Sequence, residues 1–354
     1  MKKQTLIILG IIIVIAVVFV SLRHSGNTST STGRVLKVGI APYQDMALLM
    51  NADQQNLEKK YNLNVQYSTL AWEDLTPAVA SAGSSIDLTF ASLTEFITNE
   101  RNINKNTSDP LVYIYPAYMF LGGSFVSFKP DMPVLTKADL NDPAKIKAFL
   151  NHTFAAEANS QYEQMLFILA QKAGVDFKTL KITHMGLTNS LLAAENGTID
   201  ATEAGLTQRN EALGKGGKVV ISSADLGSVD VSGFVTKQST LTVKRAEIED
   251  FIRVWFDSTN YVLSDLDNNS AGPIAYLDKQ SATQYTIDSF KSALSQEVFP
   301  KSITDVNTLI LNNGAQFDFN QIKNNLIAFE LQNKIITEAP QNISIINIAT
   351  STTQ

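Results

Sequence analysis

Cysteine is absent from the 354-residue chain, and histidine occurs three times. The first absence excludes disulfides, thiolate nucleophiles, Cys-ligated zinc, iron–sulfur clusters and a lipid-modified N-terminal cysteine. The second argues against a His-rich metal site, and nothing in the composition calls for a cofactor. Positive charge is also scarce: 28 Lys and Arg against 34 Asp and Glu leave a net charge of −6. With no basic excess available for phosphates, a nucleic-acid partner is excluded. The signatures G-x-S-x-G, G-x-G-x-x-G, the P-loop and H-E-x-x-H are missing as well. His152 and His184 fall at the start and the end of predicted strands, the positions of satisfied structural histidines, and neither adjoins a serine in a nucleophile-elbow context. Only paired carboxylates, which can meet from any two points of the chain, remain open as catalytic groups. The 44% hydrophobic content is too high for a disordered chain, and 18 Gly with 10 Pro show no fibrous period. A globular body with a substantial core follows.

What is present begins with Leu6 to Leu22, a stretch without charge that follows Lys2 and Lys3 and precedes Arg23, His24 and a Ser/Thr/Gly/Asn linker. At about 1.5 Å per helical residue this stretch just crosses a hydrocarbon core of roughly 30 Å, and the leading lysines favour an N-in orientation. Export of the body follows, to the periplasm or the outer face of the cytoplasmic membrane. A cleaved signal shares the charged start and apolar middle, but no convincing A-x-A-like site lies between Val17 and Gly26. A retained anchor, tethering the body to the membrane through residues 6–22, is the favoured reading of the two.

From Val35 onward short apolar strands alternate with amphipathic helices: strands at Val35 to Ile40, Leu63 to Ser68 and Ile86 to Ala91, with helices at Asp45 to Tyr61 and Ala71 to Ala82. Such β-α-β-α-β order predicts an α/β domain around a mostly parallel sheet. A second α/β series follows LVYIYP and SFVSF, and from Val243 the chain becomes helical, with Ile248, Phe251, Ile252, Trp255 and Phe256 forming one buried stripe. Gly123 and Ser228 to Ser232 are candidate crossings between two lobes. The expected organisation is a segment 1–24, a linker 25–34, a discontinuous first lobe of 35–122 and 231–342, a second lobe of 123–230, and a frayed tail of 343–354.

In α/β sheets ligands sit beyond the carboxyl ends of strands, beside helix N-termini. APYQDMALL therefore places Tyr43 and Asp45 at a candidate crevice, where Asp45 either caps a helix or faces a ligand. TLAWEDL brings Trp72 to the next loop, to stack on a ligand or simply to pack. FASLTEF sets Ser92 at a strand-to-helix step, with a hydroxyl and free N–H groups for an anion or carbonyl, or as an ordinary cap. AAEANSQYEQML offers Asn159, Ser160 and Gln161 at a helix start, where Ser160 with Glu163 also fits a capping box. GTIDATEAG carries Glu203, either for a ligand amine or for backbone N–H groups.

The succession VLKVGIAPYQDMALL, IDLTFASLTEF, HTFAAEANSQYEQMLFILAQKAGVD and LLAAENGTIDATEAG, with TKADL introducing the second lobe, resembles the nitrate/sulfonate/taurine-type extracytoplasmic solute-binding proteins of ABC importers over residues 35 to 264. The resemblance implies an α/β, two-lobed periplasmic-binding-protein-like clamp of type II, each lobe a mostly parallel sheet with flanking helices. It implies no enzyme: the chain captures a small polar solute between its lobes and delivers it to ABC permease subunits in the membrane. A membrane-tethered sensor built on the same clamp is the alternative, and the known enzymes on this fold rely on cysteines that this chain lacks. The resemblance further implies ligand binding by Tyr43, Asp45, Trp72, Ser92, Asn159, Ser160, Gln161 and Glu203, with the helix starts at Ser92 and Ser160 holding an acidic or carbonyl group. The candidate loops depart from that pattern in carrying Asp45, Glu157 and Glu203 and almost no Arg or Lys, apart from Arg209 slightly beyond. A ligand with an amine or a neutral polar heterocycle is at least as compatible with such loops as an oxyanion.

Overall fold

A computed structural model describes residues 34–51, 56–81, 83–158, 160–280 and 284–349. The expected apolar segment, residues 25–33 of the linker and Asn159 lie outside these residues. Among the described residues no helix is long and apolar enough to cross a membrane.

Two sheets are present. The first has the order β11-β4-β10-β3-β1-β2, with β1 at Arg34–Ile40, β2 at Leu63–Thr69, β3 at Leu88–Ser92, β4 at Leu111–Phe120, β10 at Asp230–Lys237 and β11 at Glu297–Val298. The second has the order β7-β6-β8-β5-β9, with β5 at Ser124–Ser127, β6 at Thr153–Ala156, β7 at Lys181–His184, β8 at Ala201–Ala204 and β9 at Lys218–Ser222. The chain passes from one sheet to the other between β4 and β5 and returns between β9 and β10. Each sheet is mixed, with its parallel pairs at the core, as the expected mostly parallel sheets require. β1 pairs parallel with β2 and β3, and β6 parallel with β7 and β8. β10, β4 and β11 in the first sheet, and β5 against β8 and β9 in the second, pair antiparallel. Apart from β11, the antiparallel pairs involve strands next to the crossings, β4, β5, β9 and β10.

The helices used below are α1 (Trp72–Ala80), α2 (Leu93–Asn104), α3 (Pro143–Leu150), α4 (Gln161–Ala173), α5 (Leu187–Glu195), α6 (Leu206–Gly214), α7 (Arg245–Ser264), α8 (Ala271–Gln280), α9 (Ile287–Leu294) and α10 (Phe319–Gln332). The helix expected over Asp45 to Tyr61 is not continuous. A 3-10 turn at Met46–Asn51 and a single helical turn at Leu57–Lys60 replace it, because Asn56 takes a left-handed conformation (φ 55°) that an α-helix cannot carry. Residues 343–349, the described part of the tail expected to fray, instead run beside β4. The N–H groups of Ser344 and Ile346 donate to the carbonyls of Tyr113 and Ile114, and Ile346 and Ile348 are buried.

Each sheet has its own core. The stripe read on α7 is buried as expected, and Trp255 at its centre lies 5.1 Å from the Phe90 ring and 6.0 Å from Tyr118, with its Nε1–H on the Ala117 carbonyl. β4 continues through Pro116, where the register against β10 shifts, a place where a missing N–H is tolerated. Opposite it, a Cβ on Gly233 would fall 2.1 Å from the Tyr113 hydroxyl, so only glycine lets these two strands approach. The second core centres on Phe125, Phe149 and Phe154, and α4 ends in a left-handed Gly174 (φ 64°). α10 reaches the second lobe: its Phe329 ring lies 4.3 Å from Phe167 of α4.

Replacing Trp255 by Ala should lower the unfolding free energy by about 3–5 kcal/mol, the usual range for emptying a large aromatic site. Urea unfolding followed by circular dichroism checks this; a loss below about 1 kcal/mol would contradict the central place given to this side chain.

Candidate functional site

Between the ends of the two sheets lies a cavity of about 140 Å³. From the first sheet it is lined by the loop after β1 (Tyr43, Gln44, Asp45), the start of α1 (Trp72), the β3–α2 step (Ser92, Glu95), the end of β4 (Tyr118, Phe120), the start of β10 (Asp230, Ser232) and Glu297 of β11. From the second it is lined by Glu157, Ser160, Gln161 and Tyr162 around the start of α4, by Leu187 of α5, and by Gly205, Leu206 and Gln208 around the start of α6. A second cavity of about 460 Å³ adjoins it, sharing Tyr43, Trp72, Glu95, Glu157, Ser160 and Leu187 and adding Glu73, Thr76, Phe96 and Asn99.

Six of the eight residues read from the sequence meet at this cavity: Tyr43, Asp45, Trp72, Ser92, Ser160 and Gln161. Asn159 is not described. Glu203 is not among the lining residues. It is fully buried in β8, and its Oε2 accepts the Glu157 N–H at 2.8 Å, so the reading in which it receives backbone N–H groups is the one found. Burial pushes its carboxyl up to about 9. His152 and His184 stand away from the cavity, with Nδ1 and Nε2 respectively at 3.3 Å from Asp200 and 3.0 Å from Glu163.

Local chemistry explains each placement. Asp45 does not act as a regular helix cap: one oxygen accepts the neighbouring Met46 N–H at 2.7 Å and the other the Tyr118 hydroxyl. Trp72 donates its indole N–H to both oxygens of Glu95, at 3.0 and 2.8 Å, and its ring lies 6.2 Å from Tyr43. Ser92 caps α2 through the Glu95 N–H (3.3 Å) and Ser160 caps α4 through the Glu163 N–H (3.4 Å), so the capping role holds for both serines while they line the cavity. The Glu163 carboxylate of that pair meets His184 at 3.0 Å.

Helix starts as anion sites were the other implication of the resemblance, and at α2 that place is already taken. Asp230 accepts from the Thr94 hydroxyl at 3.2 Å, and the Ser92 hydroxyl and Thr94 N–H also reach its carboxylate. A second anion there would meet like charge.

Five carboxyl groups line the inner cavity, those of Asp45, Glu95, Glu157, Asp230 and Glu297, and no Lys, Arg or His does. Arg209 of α6 is outside the lining and donates to Gln296 at 3.4 Å. Burial raises every one of the five carboxyls above its usual range. Glu95 is pushed up to about 8, by burial first and then by the charge of Asp230. Glu297 goes well up through burial and the proximity of Asp45, its Gln44 hydrogen bond opposing the change. Two buried polar atoms of the lining have no hydrogen-bond partner among the described residues: Gln161 Nε2 and Glu297 Oε2.

Glu95, Tyr118, Asp230 and Glu297 were not selected from the sequence. Glu95 stands three residues after Ser92, a spacing that by itself signals no more than a cap partner, and Asp230 sits in the stretch read as a crossing. Glu297 has no local signal: it reaches Gln44 across 253 positions of sequence, from a two-residue strand.

The NMT1/THI5 like family model matches residues 130–268 of the chain. No curated protein matches it. Among solved structures, the periplasmic aliphatic sulphonate binding protein SsuA of Escherichia coli is similar over 89% of this chain and 96% of its own, with a TM-score of 0.62 and 16% identity. A Candida albicans protein described as having the generic periplasmic binding protein fold, CA3427, is similar over 89% and 98%, with a TM-score of 0.59 and 14% identity. The periplasmic nitrate-binding protein NrtA of Synechocystis PCC 6803 is similar over 73% and 69%, with a TM-score of 0.54 and 12% identity. The resemblance to nitrate- and sulfonate-type solute-binding proteins is thereby borne out, and the fold is the two-lobed α/β fold of periplasmic binding proteins.

The raised carboxyls fix the sign of a pH effect. Between the ordinary glutamate range and about 8, folded Glu95 keeps a proton that the unfolded chain has released. The folded state binds more protons over that window, so stability is highest at its acid end and falls as pH rises through it. The melting temperature of the full chain in detergent should drop from pH 5 to 8.5, and Glu95→Gln should flatten the slope. A profile that rises with pH, or one that Glu95→Gln leaves unchanged, would contradict the assignment.

Proposed function

We propose that this chain is the solute-binding component of an ABC-type importer: it captures a small polar solute between its two lobes and presents it to permease subunits in the membrane. One observation supports this above the rest. A single cavity is lined from the ends of both sheets, so a molecule seated in it touches both lobes and favours their closed arrangement by its differential contacts. Tyr43, Asp45, Trp72, Ser92, Ser160 and Gln161 are the residues of the original reading that we assign to the ligand, joined by Tyr118, Asp230 and Glu297. In this reading the apolar stretch 6–22 holds the body at the outer face of the membrane. His152 and His184 lie outside the cavity, paired with carboxylates, which accords with binding rather than turnover.

Native mass spectrometry of the full chain released from detergent tests the reading. A small adduct, lost on denaturation, is expected. Only two tryptophans are present, and Trp255 is buried in the first core. A ligand-dependent change in fluorescence should therefore come from Trp72 and vanish in Trp72→Phe. The absence of any co-purified or added solute that shifts the melting temperature would overturn the proposal, as would turnover of a bound solute.

A further inference from the structure

The inner cavity gathers five carboxyl groups and no basic residue of its own to pair with them. The carboxylates have neutral partners: Trp72 on Glu95, Thr94 on Asp230, Tyr118 and the Met46 N–H on Asp45, and Gln44 on Glu297 at 2.9 Å. Glu297 is 8% exposed, and its second oxygen is left without a donor at the cavity wall. From the opposite lobe Gln161, 7% exposed, brings an N–H₂ group that lacks an acceptor. A buried acceptor and a buried donor left unpaired each cost about 1–3 kcal/mol, so a ligand that supplies both partners gains what the empty cavity forgoes. The carboxyls are not arranged as a metal site: among the described residues no three Asp, Glu, His or Cys side chains are grouped to hold an ion.

Resting on the solute-binding reading, we propose that this cavity selects a small organic cation bearing N–H donors. Its charged head sits on Glu297 and Asp45, its carbon body against Tyr43 and Trp72, and a hydrogen-bond acceptor faces Gln161 Nε2. A fixed cation replaces water at oxygens that neutral donors satisfy only in part, and charge-assisted hydrogen bonds are about twice as strong as neutral ones. The faces of Tyr43 and Trp72 are attractive to positive charge as well. A sulfonate or nitrate in the same place meets five carboxyl groups and no compensating cation.

Three probes of nearly equal shape separate charge from size: benzamidinium, benzamide and benzoate, titrated calorimetrically into the full chain in detergent at pH 8, with taurine and methanesulfonate alongside. Benzamidinium should bind about tenfold or more tighter than benzamide, and the anions more weakly still. Glu297→Gln should lower benzamidinium affinity about tenfold and leave benzamide within about twofold. Glu95→Gln, which keeps one acceptor oxygen for the Trp72 indole N–H, should act in the same direction, and circular dichroism confirms that both variants fold. Tightest binding by benzoate or a sulfonate, or benzamidinium affinity unchanged in both variants, overturns the charge selection while solute binding stands. If no probe binds but a solute co-purifies, a cationic solute upholds the proposal and a neutral or anionic one overturns it. Failure of every probe together with an adduct-free native mass overturns the solute-binding reading, and this proposal with it.

Discussion

Five carboxyl groups around one cavity, three of them buried (Asp45, Asp230 and Glu297), with no basic residue lining it, form the constraint on which the rest of the site depends. An ionised carboxylate removed from water costs several kcal/mol unless it is paired or protonated. The protein answers with neutral donors and with carboxyls that hold their protons into the neutral range, Glu95 to about 8. Neither answer satisfies Glu297 fully. The site is therefore poised toward positive charge, and the aromatic rings of Tyr43 and Trp72 reinforce the preference instead of offsetting it.

The scaffold accounts for how these groups meet. Both sheets present strand ends and helix starts to the same gap, and the crossings after β4 and before β10 bring Tyr118, Phe120, Asp230 and Ser232 to its floor. The structural neighbours include proteins named for sulphonate and nitrate binding, at 16% identity or less, a level at which architecture persists while the charge of a cleft is free to change. In this chain the start of α2, a natural anion site, already carries the Asp230 carboxylate.

Much of the architecture was legible because it rests on local pattern. Strands such as Val35 to Ile40 and the apolar stripe of α7 announce themselves by period, and Gly174 and Ser160 mark the ends of α4. The helix expected across Asp45 to Tyr61 failed at Asn56, whose left-handed backbone no periodicity reveals. The antiparallel pairings within the mostly parallel sheets left no mark in the sequence, because a strand such as β10 reads the same whichever way it runs. Six ligand candidates were legible because they follow strand ends, a positional rule. Glu203 obeyed that rule yet points into its own lobe, and Glu297 lies beyond any local rule, since a two-residue strand after a helical region carries no signal of its own. Cleft electrostatics is a sum over distant segments, so only the shortage of Lys and Arg in the candidate loops could hint at it.

A crystal structure of the chain with its co-purified solute tests the central claim most directly. The account predicts a protonated nitrogen of the solute within about 3 Å of Glu297 Oε2, and a ligand acceptor on Gln161 Nε2. An oxyanion seated against the start of α2 or α4, with Glu297 turned away from the solute, would contradict it.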